Sequence, residues 1–305
     1  MSFTRRSNVC AVVVTFNPDI SRLSRALAAL APQARGVVIV DNGSGNRTQV
    51  HALAQSLDGV DVIGLSENLG IGAALNMGAQ RALALTPDWV LTMDQDTLVD
   101  HGAIEGILAS YDSLERNYRG RVGILAMRAH PQPSSIWITR YADRLLTIRE
   151  LDLFTERRGV ITSGNLIRAD VVAQLHFNES LFIDQVDFDY CYSVRDAGWR
   201  VIQQKRFSMD HILGERFDDT DKDHPYENAQ RVYYIVRNST YLVLRRRLPI
   251  RFYFVQVVVF SGAFISINGV RSSVHCTLVL ARGIVDGALG RMGRRQYRFL
   301  QKGRT

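Results

Sequence analysis

Short apolar runs alternate along this chain with segments whose apolar positions recur at helical spacing. Val9-Cys10-Ala11-Val12-Val13-Val14-Thr15, Gly36-Val37-Val38-Ile39-Val40, Val60 to Gly64 and Trp89-Val90-Leu91-Thr92-Met93 are five to seven residues long. Such runs have the length and composition of strands buried on both faces. Helical patterns fill the intervals, to about Leu30, from Thr48 to Leu57 and up to about Leu85. Asn17-Pro18 supplies a cap and a proline suited to an opening helical turn. Alternation at this pace predicts an α/β fold, a doubly wound, mostly parallel sheet with helices on both faces and right-handed crossovers. Another helix is expected from Asp100 to Tyr118 and a strand from Arg121 to Ala126. The pattern then loses regularity, and the stretch from His130 to Arg158, with Pro131 and Pro133, reads as an inserted hairpin or acceptor-facing loop.

The ends of the apolar runs carry the candidate chemistry, because open α/β sheets bind ligands at the carboxyl ends of their strands. The fourth run stops at Asp94-Gln95-Asp96, and a turn after Asp94 lets both carboxylates reach one point. Hard oxygen ligands with room for phosphate oxygens suit Mg²⁺ or Mn²⁺, while capping of the next helix is the plainer reading of the same pair. Asp41-Asn42-Gly43-Ser44 ends the second run in a turn-forming polar cluster. Gly70 and Gly72 lead into a helix. There they either let backbone approach a ligand beside a helix N-terminus or serve tight packing alone. A dinucleotide fingerprint is excluded, since the third glycine is misplaced and this is not the first strand-to-helix turn.

A second acidic group lies in Phe182-Ile183-Asp184-Gln185-Val186-Asp187-Phe188-Asp189. Asp184 and Asp187, three apart, would share one helix face, with Asp189 turned away. Acids at a helix start serve its dipole, or here supply a general base and an acceptor-orienting carboxylate. His211 is a ligand only if it reaches the metal. Arg231 and Arg237 either contact a diphosphate or acceptor or form a solvated helix face.

Charge changes the picture at the C-terminus. Residues 245–305 hold twelve Arg or Lys against Asp286 alone, a net of +11, and the remaining 25 basic and 29 acidic residues leave −4. This basic region alternates with apolar runs, which fits an anionic membrane surface rather than nucleic acid. Its apolar run from Phe252 to Ile267 is near 16 residues. That is short of the roughly 20 a spanning helix needs, so it is expected to lie on the membrane. Cys10, Cys191 and Cys276 form no metal-type pairing or disulfide framework, and Met1 to Asn8 lack the apolar core of an export signal. A reducing, cytosolic setting is expected, peripheral on the inner face of the cell membrane.

Seven motifs in order carry a resemblance. They are Val14-Thr15-Phe16-Asn17, Val40-Asp41-Asn42-Gly43-Ser44, Asn68 to Asn76, Met93-Asp94-Gln95-Asp96, Ser163-Gly164-Asn165, Phe182 to Asp189 and His211-Ile212-Leu213-Gly214. Together they span roughly residues 9 to 240 and resemble the inverting family 2 glycosyltransferases of GT-A fold, most closely their bacterial rhamnosyltransferase branch. The resemblance implies that Thr15, Asn17, Asp41 and Asn42 line the base pocket, with Asp41 accepting from the pyrimidine N3 hydrogen. It implies that Gly70, Gly72 and Asn76 shape the loop beside base and ribose, with Asp94 also near the ribose. Asp94, Asp96 and His211 match its metal ligands, Mn²⁺ or Mg²⁺. Asp187 matches its base, and Asp184 stands upstream where many relatives instead carry a second acid at the position of Val186.

The implied donor is dTDP-L-rhamnose, or another pyrimidine nucleotide sugar such as UDP-galactofuranose. The implied acceptor is a lipid-linked glycan of a bacterial polysaccharide or O-antigen. The expected organisation is a catalytic region over 1–244, with a nucleotide-sugar half to about 126 and an acceptor half from 127, followed by a basic amphipathic region over 245–305. A non-catalytic binding protein on the same scaffold has no need of Asp187. A nucleotidyltransferase would need a phosphate loop at Thr15-Phe16-Asn17-Pro18, which has neither glycine nor lysine. Oligomeric state is not set by the sequence.

Overall fold

The computed structural model describes residues 8–129, 141, 143–210 and 229–297. Its first half is the expected alternation. The elements are β1 (Val9–Thr15), α1 (Ile20–Leu30), β2 (Gly36–Asp41), α2 (Arg47–Gln55), β3 (Val60–Gly64), α3 (Ile71–Leu83) and β4 (Trp89–Asp94). β3, β2, β1 and β4 lie side by side in that order, all parallel, with Thr15 opposite Asp41 and Val14 opposite Asp94. β1 is apolar from Val9 to Val14 because both its faces are covered. Val9, Ala11 and Val13 pack with Leu23, Leu27 and Leu30 of α1, whereas Cys10, Val12 and Val14 pack with Ala74, Leu75 and Ala79 of α3. Asp19 caps α1 by accepting from the Arg22 amide.

The short strand β5 (Leu98–Val99) comes next, and the expected helix over Asp100–Tyr118 is instead two, α4 (Ala103–Asp112) and α5 (Arg116–Arg119). Gly102 at φ 75° starts α4, and the Ser113 hydroxyl bonds the Ser110 carbonyl where α4 ends. A hydroxyl that competes for backbone groups in this way favours termination.

β6 (Val122–Ala129) follows, then a hairpin of β7 (Thr147–Glu150) and β8 (Phe154–Arg157), within the stretch read as an insertion. Next come β9 (Asn165–Arg168), α6 (Ala169–Gln174), α7 (Val186–Asp196) and β10 (Arg200–Asp210). β9 enters antiparallel between β4 and β6, and the sheet continues through β10 to β8 and β7. β6 and β10 are parallel to each other and run the same way as β1–β4. The antiparallel β9 matters because it delivers Ser163 and Gly164 to the carboxyl end of β4.

The chain ends in three helices, α8 (Ala229–Leu244), α9 (Ile250–Asn268) and α10 (Ser273–Ala288). Val232, Tyr233 and Val236 of α8 share a core with Phe264 of α9 and with Cys276 and Val279 of α10. The apolar run forms a longer helix than its sequence suggested. α9 has 19 residues and a mean hydropathy of 1.8, long and apolar enough to cross a membrane by length and composition, and only 11% of that window is buried. Val258, Val270 and Val274 are 68%, 81% and 73% exposed.

Candidate active site

The site lies along the carboxyl ends of β1, β2 and β4. At the paired strand ends, Thr15 and Asp41 are fully buried, and both Thr15 Oγ1 and Asp41 Oδ2 lack a hydrogen-bond partner among the described residues. The other Asp41 oxygen accepts from the Ser44 amide at 3.2 Å. An orphaned buried carboxylate oxygen is costly, so this one is open to a donor from beyond the described residues. Asn17 is spent on the neighbouring turn, with φ 48°, its amide bonded to Ser44 Oγ and its side chain to the Gly45 amide. Asn42 accepts from the Leu69 amide and donates to Asn68 Oδ1, tying the glycine loop to β2. Phe16 and Leu69 are exposed apolar side chains on the loops after β1 and β3, the strands that flank β2. Neither was singled out from the sequence.

Asp94 closes β4, and its amide donates to Ser163 Oγ at 3.0 Å. That hydroxyl in turn donates to Thr97 Oγ1 at 2.9 Å. Gly164 has φ 80°, and an added Cβ there would overlap Met209, so no larger residue fits. Ser163-Gly164 thus fixes the turn that carries Asp96, whose carbonyl also accepts from Arg22 Nε at 3.2 Å. Asp94 and Asp96 fit a divalent cation by donor chemistry, as two hard carboxylates on one turn. Among the described residues no group of three His, Cys, Asp or Glu side chains forms a closed metal site. The pair therefore suits an ion completed by substrate phosphate oxygens. His211 lies outside the described residues.

The second acidic group is built differently from its sequence reading. α7 begins at Val186, so Asp184 and Asp187 do not share a helix face. Phe182, Asp184 and Gln185 have φ of 65°, 62° and 65°, a left-handed turn that sets Asp184, ahead of the helix, near Asp187 in its first turn. Side chains resist that region, and each such residue costs about 1–3 kcal/mol. The turn is held from two sides. The Ile71 amide donates to the Phe182 carbonyl at 2.7 Å, across a gap where a Cβ on Gly70 would overlap Phe182. From α8, the Asn238 side-chain amide donates to the carbonyls of Leu181, Ile183 and Asp184 at 3.0, 2.8 and 2.9 Å.

Arg237, completely buried, orients Asn238 by donating from Nε to Asn238 Oδ1 at 2.8 Å. It also reaches the carbonyls of Leu181 and Gly293. It is neither a solvated face nor a ligand contact. Gly72 and Asn76 also serve this unit, Gly72 by close packing under Asn178 and Asn76 through three hydrogen bonds to Phe177 and Glu179. Both act on the site through the 177–182 segment.

Burial raises the Asp187 carboxyl to a pKa of about 7, against the hydrogen bond it accepts from the Phe188 amide. The nearby charges of Asp184 and Asp94 push it further up. Three carboxylates therefore share one region, and that of Asp187 is poised near neutrality. Burial also raises Asp184, opposed by Arg231, whose Nε is 3.4 Å from Asp184 Oδ1. Asp184 Oδ2 and Gln185 Oε1 are buried without partners among the described residues. Asp189 is buried and paired with Arg247, away from the other two.

The profile of Glycosyl transferase family 2 matches residues 10–175. Over 277 residues, 90% of this chain and 89% of the other, the sequence is 27% identical to the dTDP-rhamnosyl transferase RfbF of Shigella flexneri. It is 29% identical over 139 residues to an N-acetylglucosaminyltransferase of Azorhizobium caulinodans, covering 43% of this chain and 33% of that protein. The crystal structure of GalNAc-T7 with UDP, GalNAc and Mn²⁺ superposes with a TM-score of 0.56 at 15% identity. That match covers 81% of this chain and about half, 52%, of the other, a likeness of fold alone.

Proposed function

The chain belongs to the family 2 glycosyltransferases, and from that premise we propose that it is an inverting rhamnosyltransferase. It would carry L-rhamnose from dTDP-L-rhamnose to a lipid-linked glycan in cell-surface polysaccharide synthesis. The observation that carries the donor assignment is the likeness to the Shigella flexneri dTDP-rhamnosyl transferase. It spans nine-tenths of both chains and extends well past the residues of the family profile.

The chemistry of the site supports the reaction class. Asp41 Oδ2, an acceptor with no partner among the described residues, suits the N3 hydrogen of thymine. Asp187 takes the acceptor hydroxyl proton while that oxygen attacks the anomeric carbon opposite the departing dTDP. A pKa near 7 matches a general base to its working pH. One base suffices, since no covalent sugar intermediate is formed. Asp184 and Gln185 offer partnerless oxygens to further acceptor hydroxyls. Asp94 and Asp96 would hold Mn²⁺ or Mg²⁺, which, when bound, neutralises charge on the diphosphate. The exposed apolar side chains of α9 and α10 beside a basic segment support placement on the inner face of the cell membrane.

Uracil presents the same edge to Asp41, so UDP-galactofuranose is the second reading. Calorimetric titration with dTDP, UDP, GDP and ADP, with Mn²⁺ or Mg²⁺ and then chelator, separates the two. Metal-dependent binding of dTDP, lost in Asp96→Ala, is the expected result. Preference for UDP would redirect the donor, and no nucleotide binding would overturn the assignment.

A further inference from the structure

A cavity of about 480 Å³ opens where α8 turns into α9. Arg158, Tyr192 and Arg246 line it together with Leu145, Leu248 and Ile250. Its floor is built. Leu248 is buried in a cluster with Leu146, Phe188, Leu242 and Phe252, and the Phe188 and Phe252 rings are 5.3 Å apart. Its two cations are positioned by backbone. The Arg158 amide donates to the Leu146 carbonyl at 2.7 Å, and Arg246 sits at φ 56° with its amide on the Val243 carbonyl at 2.9 Å.

Of the three consecutive arginines at this corner, Arg247 is consumed internally by Asp189 and Asp196. Arg245 stacks on Tyr241 at 3.7 Å. Arg158 and Arg246 meet no carboxylate among the described residues. Two guanidinium groups over an apolar floor call for an anionic partner with an apolar body.

The cavity's position says where that body goes. Ile250, on its rim, is the first residue of α9 and is exposed, as is Phe254 one turn on. Tyr192 stands five residues after Asp187 on α7, about 7.5 Å along the helix axis at 1.5 Å per residue. Phe188, next to Asp187, belongs to the apolar cluster that holds Leu248. The lipid chain of a phosphoryl group held here would continue along α9, past Ile250 and Phe254.

We propose that this cavity is a phosphate subsite for a membrane-resident acceptor lipid. Arg158 and Arg246 grip the phosphoryl oxygens of the carrier, and its hydrocarbon lies against the exposed side of α9. The proposal rests on the reading of a lipid-linked acceptor.

The test is flotation of the full chain with vesicles of phosphatidylcholine containing either polyprenyl phosphate or an equal fraction of phosphatidylglycerol, beside calorimetry with inorganic phosphate. Polyprenyl phosphate vesicles are expected to bind best. Arg158→Gln with Arg246→Gln should weaken that binding about 25-fold, taking about 5-fold per basic residue at a membrane surface. The corresponding lysine pair should restore most of it. Arg25→Gln with Arg116→Gln, the same charge loss on distant exposed positions, should change little.

Equal weakening by Arg245→Gln with Arg251→Gln would indicate diffuse attraction and overturn the proposal. Equal binding of phosphatidylglycerol, or inorganic phosphate bound through the same arginines without vesicles, would overturn it too. Nucleotide titration of the same variants reports on the transferase reading separately. Normal dTDP binding beside unchanged flotation rejects the subsite alone.

Discussion

The side-chain amide of Asn238 donates to the backbone carbonyl of Asp184 at 2.9 Å, so a residue of α8 fixes the conformation of a turn 54 positions earlier. The same amide reaches Leu181 and Ile183, and Arg237 holds it in place. Without this grip, a turn with three side-chain-bearing residues in the left-handed region has every reason to relax. Asn238→Ala is expected to lower kcat by 10- to 100-fold while leaving dTDP affinity within about 2-fold, because misplacement of a base is felt in the chemical step. Asn238→Asp should not rescue, since a carboxylate cannot donate to carbonyls. Steady-state kinetics beside nucleotide calorimetry reads this split, and equal loss of both would indicate general unfolding instead.

Asp187→Asn should abolish transfer, by at least about 10³-fold, because an amide cannot take the acceptor proton. Nucleotide binding should survive, as Asp187 is not among the groups at the base edge. The same substitution should make the protein more stable at pH 8. It removes a carboxylate that burial and the charges of Asp184 and Asp94 make costly to ionise. Thermal melts of the two proteins should differ most at pH 8 and converge only below about pH 4. Normal turnover by the variant would move the base role to Asp184.

The pH dependence follows from the same group, and its sign is fixed by which form works. Transfer needs the carboxylate, so kcat/KM should rise with pH along a limb centred near 7. Stability runs the opposite way. The folded value lies above the unfolded one of about 4. The folded state therefore keeps a proton that the unfolded chain has released. The contribution is full below about pH 4 and is lost as pH rises through 7. A cation bound at Asp94 offsets that residue's repulsion and should move the kinetic limb downward. A profile flat from pH 5 to 8 would refute Asp187 as the base.

Much of this arrangement was legible in the residues. The apolar runs specified β1, β2 and β4 because both their faces are buried, and the polar groups that end them form the candidate site. Ser163-Gly164 could be recognised as a motif, although its work of accepting from the Asp94 amide needed β9 to lie antiparallel beside β4. The acidic pair was recognised with the wrong geometry, since helical spacing gives no warning of a left-handed turn before the helix. Gly70 and Gly72 left two readings open, and both glycines prove to make room for the 178–182 segment. Asn238 carried no local signal, and Arg237 was read only as a ligand contact or a solvated face. A polar pair inside an apolar helical pattern reads as a solvated face until the partners, some 55 residues away, are placed against it.

Asp41 offers the sharpest check on the donor. One of its oxygens is committed to the Ser44 amide at 3.2 Å, and the other is the buried atom without a partner. In Asp41→Asn the side-chain oxygen must keep the Ser44 bond, so the amide nitrogen faces the base. A donor then meets the N3 hydrogen of thymine or uracil, leaving two buried donors opposed at about 1–3 kcal/mol. Affinity for dTDP and UDP should fall about 5- to 150-fold. Cytosine has an unprotonated N3 that accepts, so CDP should bind the variant better than it binds the parent protein. Calorimetry with dTDP, UDP and CDP on both proteins tests the inversion. A uniform loss for all three would mean that Asp41 supports the strand end rather than reading the base.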